Sequence, residues 1–194
     1  MIDELSLGLA PTIVGQLIEI VKEINRRGIA VIVVEQSVTV ALELAERAVY
    51  MEKGRIRFDG PIPELMRRPD ILRAIYVTGG AGAGGGSSKA VTSAAANAAS
   101  ASGYVASADA KVILEAKGIS KSFGGVQAVN AVDLPLYDGQ VLGLIGPNGS
   151  GKTTLFDIIS GFIPPTDGQI LLRGEDITEL SPTERPSTGI VSRF

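Results

Sequence analysis

One stretch limits the possible folds more than any other. Gln140-Val141-Leu142-Gly143-Leu144-Ile145 is apolar after its first residue and reads as a buried strand, and it leads straight into Gly146-Pro147-Asn148-Gly149-Ser150-Gly151-Lys152-Thr153. A short apolar run without alternation is the pattern of a strand buried on both faces of a parallel sheet. From Lys152 to Ser160 the residues read as a helix. A strand, a glycine loop and a helix in that order point to an α/β fold. A second β-branched run, Ile29-Ala30-Val31-Ile32-Val33-Val34, has the same character and agrees with that class.

The loop carries chemistry of its own. Gly146, four residues, then Gly151-Lys152-Thr153 is the spacing of a phosphate-binding loop, here between a buried strand and a helix as that loop requires. Glycines let backbone N–H groups curl around phosphates, and the helix start adds a positive dipole end. Lys152 supplies a point charge and Thr153 offers a hydroxyl to magnesium. The expected cofactors are ATP and Mg2+, bound by Gly146, Asn148, Gly149, Ser150, Gly151, Lys152, Thr153 and Thr154. Near the start of the chain, Ile2-Asp3-Glu4 is a weaker signal. An Asp at the end of an apolar strand can hold magnesium through water, and a neighbouring carboxylate can polarise an attacking water.

Composition removes other chemistries. With no cysteine and no histidine, disulfides, thiolate metal sites and imidazole bases are excluded. A net charge of -3 argues against a nucleic-acid partner, which calls for a basic surface. No apolar run has the length of a membrane span, and Asp3 and Glu4 stand where a signal peptide would be basic. The expectation is a cytoplasmic protein that meets a membrane only through a partner.

Composition also divides the chain into residues 1–77, a Gly/Ala/Ser-rich linker over 78–110, and residues 111–194. Such a linker buries too little apolar surface to offset its ordering entropy. In the first piece Thr12 is expected to cap a helix with apolar positions at Val14, Leu17, Ile18, Val21 and Ile24, ended by Gly28. A second helix is expected from about Ser37 to Glu46, then two strands from Ala48 to Phe58 about Lys53-Gly54, then a helix opened by Pro63 and ending near Ala74. In the last piece Val112 to Ala116 and Val126 to Leu136 read as strands either side of Gly124-Gly125. Gly168 to Leu172 reads as another strand, and Asp176 to Leu180 as the start of a turn or helix.

At this point the residues resemble a family. Gly146 to Thr154 with Leu155-Phe156, taken with Asp3-Glu4-Leu5-Ser6-Leu7-Gly8-Leu9-Ala10-Pro11, resembles the ATPase subunits of ABC transporters. Within that family the chain looks most like the pair serving branched-chain amino-acid uptake. Gly124 to Asn130 and Ser160-Gly161-Phe162 through Asp176-Ile177-Thr178 are similar to the front of such a cassette. Val34-Glu35-Gln36-Ser37 and Tyr50 to Ile56 are similar to the back of one. The resemblance implies adenine stacking by Phe123, a magnesium-linked carboxylate at Asp3, a general base at Glu4, and a loop from Ser6 to Leu9 that crosses to a partner cassette. Ala10 and Leu5 depart from its usual Asp and Pro. Gln36 stands at the place of the family's switch histidine, where it can donate a hydrogen bond but carry no charge. The partners implied are membrane permease subunits, a second ATP-binding cassette and, indirectly, a periplasmic or lipoprotein substrate-binding protein.

The order departs from the family. The phosphate loop should precede the Asp-Glu pair, yet Asp3 and Glu4 come first and Lys152 late, with no Ser-Gly-Gly-Gln signature between or around them. The expected fold is therefore a phosphate-loop ABC ATPase core in permuted order, lacking the helical signature subdomain. In that reading 1–77 is the back half of a cassette, 78–110 a linker, and 111–194 a front half, as in a slice of a tandem fusion. The two halves could fold together, since a flexible linker of roughly 32 residues spans about 30 Å. ATP binding without efficient turnover, or a phosphate-loop enzyme of another kind, are the alternatives. A kinase acceptor site or an Asn-Lys-x-Asp motif for the latter is not found.

Overall fold

The computed structural model describes residues 1–3, 8–36, 38–79 and 110–191. Glu4, Ser6, Leu7, Ser37 and nearly all of the stretch expected as a linker lie outside the described residues. Along the chain the elements are β1 (Ile2–Asp3), α1 (Pro11–Arg26), β2 (Val31–Glu35), α2 (Val38–Leu44), β3 (Arg47–Glu52), β4 (Arg55–Pro61), α3 (Ile62–Leu65) and α4 (Pro69–Gly79). They continue with β5 (Val112–Phe123), β6 (Val126–Tyr137), β7 (Val141–Ile145), α5 (Lys152–Ser160), β8 (Asp167–Leu172), β9 (Glu175–Asp176) and α6 (Arg185–Thr188).

The two apolar runs become neighbours. β2 and β7 pair in parallel, with Val33 opposite Gly143 and Glu35 opposite Ile145. β3 pairs in parallel with the other side of β7, β1 pairs in parallel with β2, and β4 closes the edge antiparallel to β3. The resulting sheet has the order β1-β2-β7-β3-β4. Its central strand thus comes from the last third of the chain and its other strands from the first. A second sheet, β6-β5-β8-β9, is antiparallel throughout.

Both faces of the mixed sheet are covered, which is why its central strands carry no polar alternation. Val31, Val33, Ala48, Tyr50, Val141 and Ile145 face a core built with Ile18, Val21, Leu42, Leu44 and Leu65 from α1, α2 and α3. Ile32, Val34, Val49, Met51, Leu142 and Leu144 face the opposite core, with Leu155, Phe156, Ile158 and Ile159 of α5 and Leu114, Ile119 and Leu134 of the antiparallel sheet. The sheet is thus a middle layer, with α1–α4 on one side and α5 with the antiparallel sheet on the other. Full burial of one such aliphatic side chain stabilises by roughly 2 kcal/mol. No helix among the described residues is long and apolar enough to cross a membrane.

Several boundaries differ from the sequence reading. Thr12 does not cap α1: the helix starts at Pro11 with Ala10 at the cap position, and no side chain caps it. Proline at the first helical position needs no N–H and has φ preset, so the start moves ahead of Thr12. The helix expected from Pro63 to Ala74 is two helices, because Pro69 cannot continue α3 and instead opens α4. Ile29 is exposed and the strand begins at Val31. The first strand of the antiparallel sheet runs on from Ala116 to Phe123, and Asp176 ends the short strand β9 before the expected turn, which falls at Thr178–Glu179.

Candidate functional site

The site forms where β7 delivers its carboxyl end to α5. Gly146 leaves the sheet buried, and a Cβ there would lie 2.3 Å from the Met51 carbonyl oxygen and 2.8 Å from Ser150 Oγ. Only glycine fits, because the loop backbone passes directly against β3. Gly151 stands at the cap position of α5 with φ 101° and no side chain caps the helix. Its missing side chain is required as well, since a Cβ would sit 2.3 Å from the Ala128 carbonyl oxygen. The first-turn N–H groups of α5 have no intrahelical partners, so the helix begins as an anion-binding end.

Lys152 is 5% exposed, which an ammonium tolerates only with strong acceptors. Its Nζ donates to the carbonyls of Gly146 at 2.8 Å and Pro147 at 3.1 Å, so the loop curls around the ammonium. Ser150 Oγ, in the same loop, is buried with no hydrogen-bond partner among the described residues. Asn148, Gly149 and Thr153 are exposed at the mouth, and Thr154 is half-buried. A buried cation, an unpaired hydroxyl and a helix start converge here, which is what a phosphate chain needs. These features fit ATP phosphates. Thr153 at the open rim and Asp3 across the sheet are oxygen donors of the kind magnesium takes.

The sheet register places the other candidates on one edge. Asp3 pairs with Val34, and Val34 with Leu144, two residues before Gly146. Asp3 therefore ends a strand two positions from β7, about 10 Å away across the sheet. Gln36 follows the last residue of β2, whose Glu35 pairs with Ile145. Asp3, Gln36 and the loop thus share the carboxyl edge of adjacent parallel strands, where ligands of open α/β sheets bind. Glu4 lies outside the described residues. Phe123 ends β5 opposite Val126, is 47% exposed, and has Lys121 Nζ 5.3 Å from its ring centroid. Ala128, whose carbonyl abuts Gly151, is two residues beyond Val126, so the hairpin tip with Phe123 stands at the rim of the loop.

Two residues of the site's framework carried no sequence signal of that role. Gly54, read only as part of a turn, donates its N–H to the Ser150 carbonyl at 2.9 Å. Arg185 is 1% exposed and donates to carbonyls at the end of α5. Both matter through distant backbone, which local patterns do not report.

Part of the chain is similar to known proteins. Residues 129–193 match the ABC transporter family model. Over 82 residues, 42% of the chain, it is 46% identical to the high-affinity branched-chain amino acid transport ATP-binding protein BraF of Pseudomonas aeruginosa, covering 32% of that protein. It is 44% identical over 82 residues to LivG of Escherichia coli strain K12, a protein of the same description, again covering 42% of this chain and 32% of LivG. It is also 46% identical over 79 residues to the ribose import ATP-binding protein RbsA of Rhodopirellula baltica, 41% of this chain and 16% of RbsA. The crystal structure of a nucleotide-free ATP-binding cassette from an ABC transporter aligns with a TM-score of 0.42 and 40% identity over 43% of this chain and 33% of that one. The chain spans about a third of the length of BraF and LivG. The segment that builds the phosphate loop is similar in sequence to ABC transporter ATP-binding proteins, over part of their length.

Proposed function

We propose that this chain binds Mg-ATP at Gly146–Thr154 and acts as the ATP-binding component of an importer for branched-chain amino acids. The observation that carries the reading is the buried Lys152 ammonium, 2.8 Å from the Gly146 carbonyl at the start of α5. That ammonium is placed to exchange loop carbonyls for phosphate oxygens when nucleotide enters. Thr153 and Asp3 would hold Mg2+, which would screen phosphate charge. Glu4 would serve as base for the attacking water, Gln36 as a hydrogen-bond donor to the terminal phosphate, and Phe123 as the adenine platform.

The identity with BraF and LivG supports the substrate class. The insertion of β7 between β2 and β3 supports a cassette core in permuted order, with 1–77 and 111–194 as complementary halves. The partners in this reading are permease subunits, a second cassette and, through them, a substrate-binding protein, with the chain peripheral on the inner face of the cell membrane. The second reading, nucleotide binding without efficient turnover, is favoured by the sequence, whose 194 residues contain no Ser-Gly-Gly-Gln signature.

Calorimetric titration with Mg-ATP tests the reading. Saturable binding by the wild-type chain and a loss of at least roughly thirtyfold in Lys152→Ala, about 2 kcal/mol, is the expected result. Equal binding by the two chains refutes it.

A further inference from the structure

We infer that the Lys53–Gly54 turn between β3 and β4 positions the phosphate loop, with Gly54 as its positioning residue. The inference rests on reading that loop as the nucleotide site. Gly54 N–H donates to the Ser150 carbonyl at 2.9 Å, and the Gly54 carbonyl accepts from Asn130 N–H at 2.8 Å. The turn is therefore bonded on one side to the loop and on the other to β6.

No side chain separates these three backbones. A Cβ on Gly54 would lie 2.8 Å from the Ala128 carbonyl oxygen, the same atom that a Cβ on Gly151 would meet at 2.3 Å. From the Gly151 side, that Cβ would also be 3.4 Å from Gly54 Cα. The start of the loop rests on the same hairpin, because the nearest atom to a Gly146 Cβ is the Met51 carbonyl oxygen. Both ends of the loop are thus set by β3 and its turn, a part of the chain far away in sequence. A phosphate cradle works only when its N–H groups are held to within a fraction of an ångström, and here the supporting wall is main chain alone.

The fold supplies its own control. Arg173–Gly174 between β8 and β9 has the same backbone turn, with φ 52° and 87° against 49° and 76° at Lys53–Gly54. A Cβ on Gly174 meets nothing within 4 Å. Gly174→Ala therefore imposes the left-handed backbone strain without the contact, and Gly54→Ala imposes both.

The experiment compares wild type, Gly54→Ala and Gly174→Ala as full chains, by hydrogen exchange of residues 146–153 and by Mg-ATP titration. In Gly54→Ala, loop exchange should rise at least roughly tenfold and Mg-ATP affinity fall at least roughly tenfold, while Gly174→Ala matches wild type within about twofold. Equal loop exchange in the two variants overturns the inference. If exchange separates the variants but no chain binds Mg-ATP, the positioning contact stands and the nucleotide reading fails. Should Gly54→Ala not fold, wild type alone decides: Mg-ATP must slow exchange at residues 51–57 together with 146–153. Protection of the loop without protection of the hairpin overturns the inference.

Discussion

Arg185 donates from Nη1 to the carbonyl of Ile158 at 3.0 Å, closing the far end of the helix whose first residue is Lys152. Its guanidinium also bonds the carbonyls of Ile159, Ile177, Thr178 and Leu180. All of these acceptors are backbone, and at the carboxyl end of α5 a cation is favoured by the helix dipole. Burial lowers the guanidinium's pKa from its ordinary value, yet an arginine stays charged throughout the working range.

Removing that fork strands several buried carbonyls at once. Arg185→Met should cost about 3 kcal/mol in urea unfolding, and Arg185→Lys nearly as much, because one ammonium cannot reach every acceptor. A loss below about 1 kcal/mol for Arg185→Met would show that water replaces the guanidinium.

A second arginine ties the two parts of the chain together. Arg47 on β3 forms a bidentate pair with Asp59, Nε to Oδ1 and Nη2 to Oδ2 both at 2.5 Å. Its Nη1 donates to the Pro135 carbonyl of β6 at 2.8 Å, and the guanidinium lies 5.5 Å from the Tyr137 ring centroid. Arg47→Ala should destabilise by about 2 kcal/mol, less than a fully buried pair because Asp59 keeps some contact with water. A double-mutant cycle with Asp59→Ala should give a coupling of about 1 kcal/mol. Zero coupling would assign the cost to Pro135 and Tyr137 instead.

How much of this was legible beforehand depends on how local each determinant is. The strand Val141–Ile145, one residue shorter than the reading from Gln140, and the helix Lys152–Ser160 fall where the sequence places them, because apolar burial and the glycine loop are written in adjacent residues. The Lys53-Gly54 and Gly124-Gly125 turns are legible for the same reason. The sequence also suggested that the halves could fold together, but the place of β7 between β2 and β3 is a matter of register between distant segments. Gly54, Arg47 and Arg185 act on backbone remote in sequence, and no periodicity reports such contacts. The proline at position 69 was the missed local signal: it breaks the helix read from Pro63.

Glu46, between α2 and β3, gives the stability a pH dependence. Its Oε2 is buried without a hydrogen-bond partner among the described residues, and burial raises its pKa above the ordinary 4.5. The folded state therefore holds this proton more tightly than the unfolded one. The stabilisation is complete below the unfolded pKa and is lost as pH rises through the folded one. The urea midpoint should fall from about pH 4.5 upward by an amount that Glu46→Gln removes, leaving the variant more stable than wild type at pH 7.5. Parallel pH profiles for the two chains would show that another group carries the slope.

As the proposed adenine platform, Phe123 would separate recognition of the base from recognition of the phosphates. The ring is 47% exposed at the tip of the β5–β6 hairpin, where little packing explains an aromatic. Lys121 over one side of the ring at 5.3 Å leaves the rest of it available for stacking. Stacking of an adenine on such a ring contributes about 1 kcal/mol. Phe123→Ala should therefore weaken Mg-ATP roughly fivefold to tenfold and leave magnesium tripolyphosphate, which has no base, unchanged. Equal losses for both ligands would make Phe123 a support of the loop, acting through β6 and Ala128. Unchanged binding of both would place the base elsewhere on the surface. Because the ring is exposed, unfolding midpoints should barely move in any of these outcomes, so the two titrations alone decide what Phe123 does.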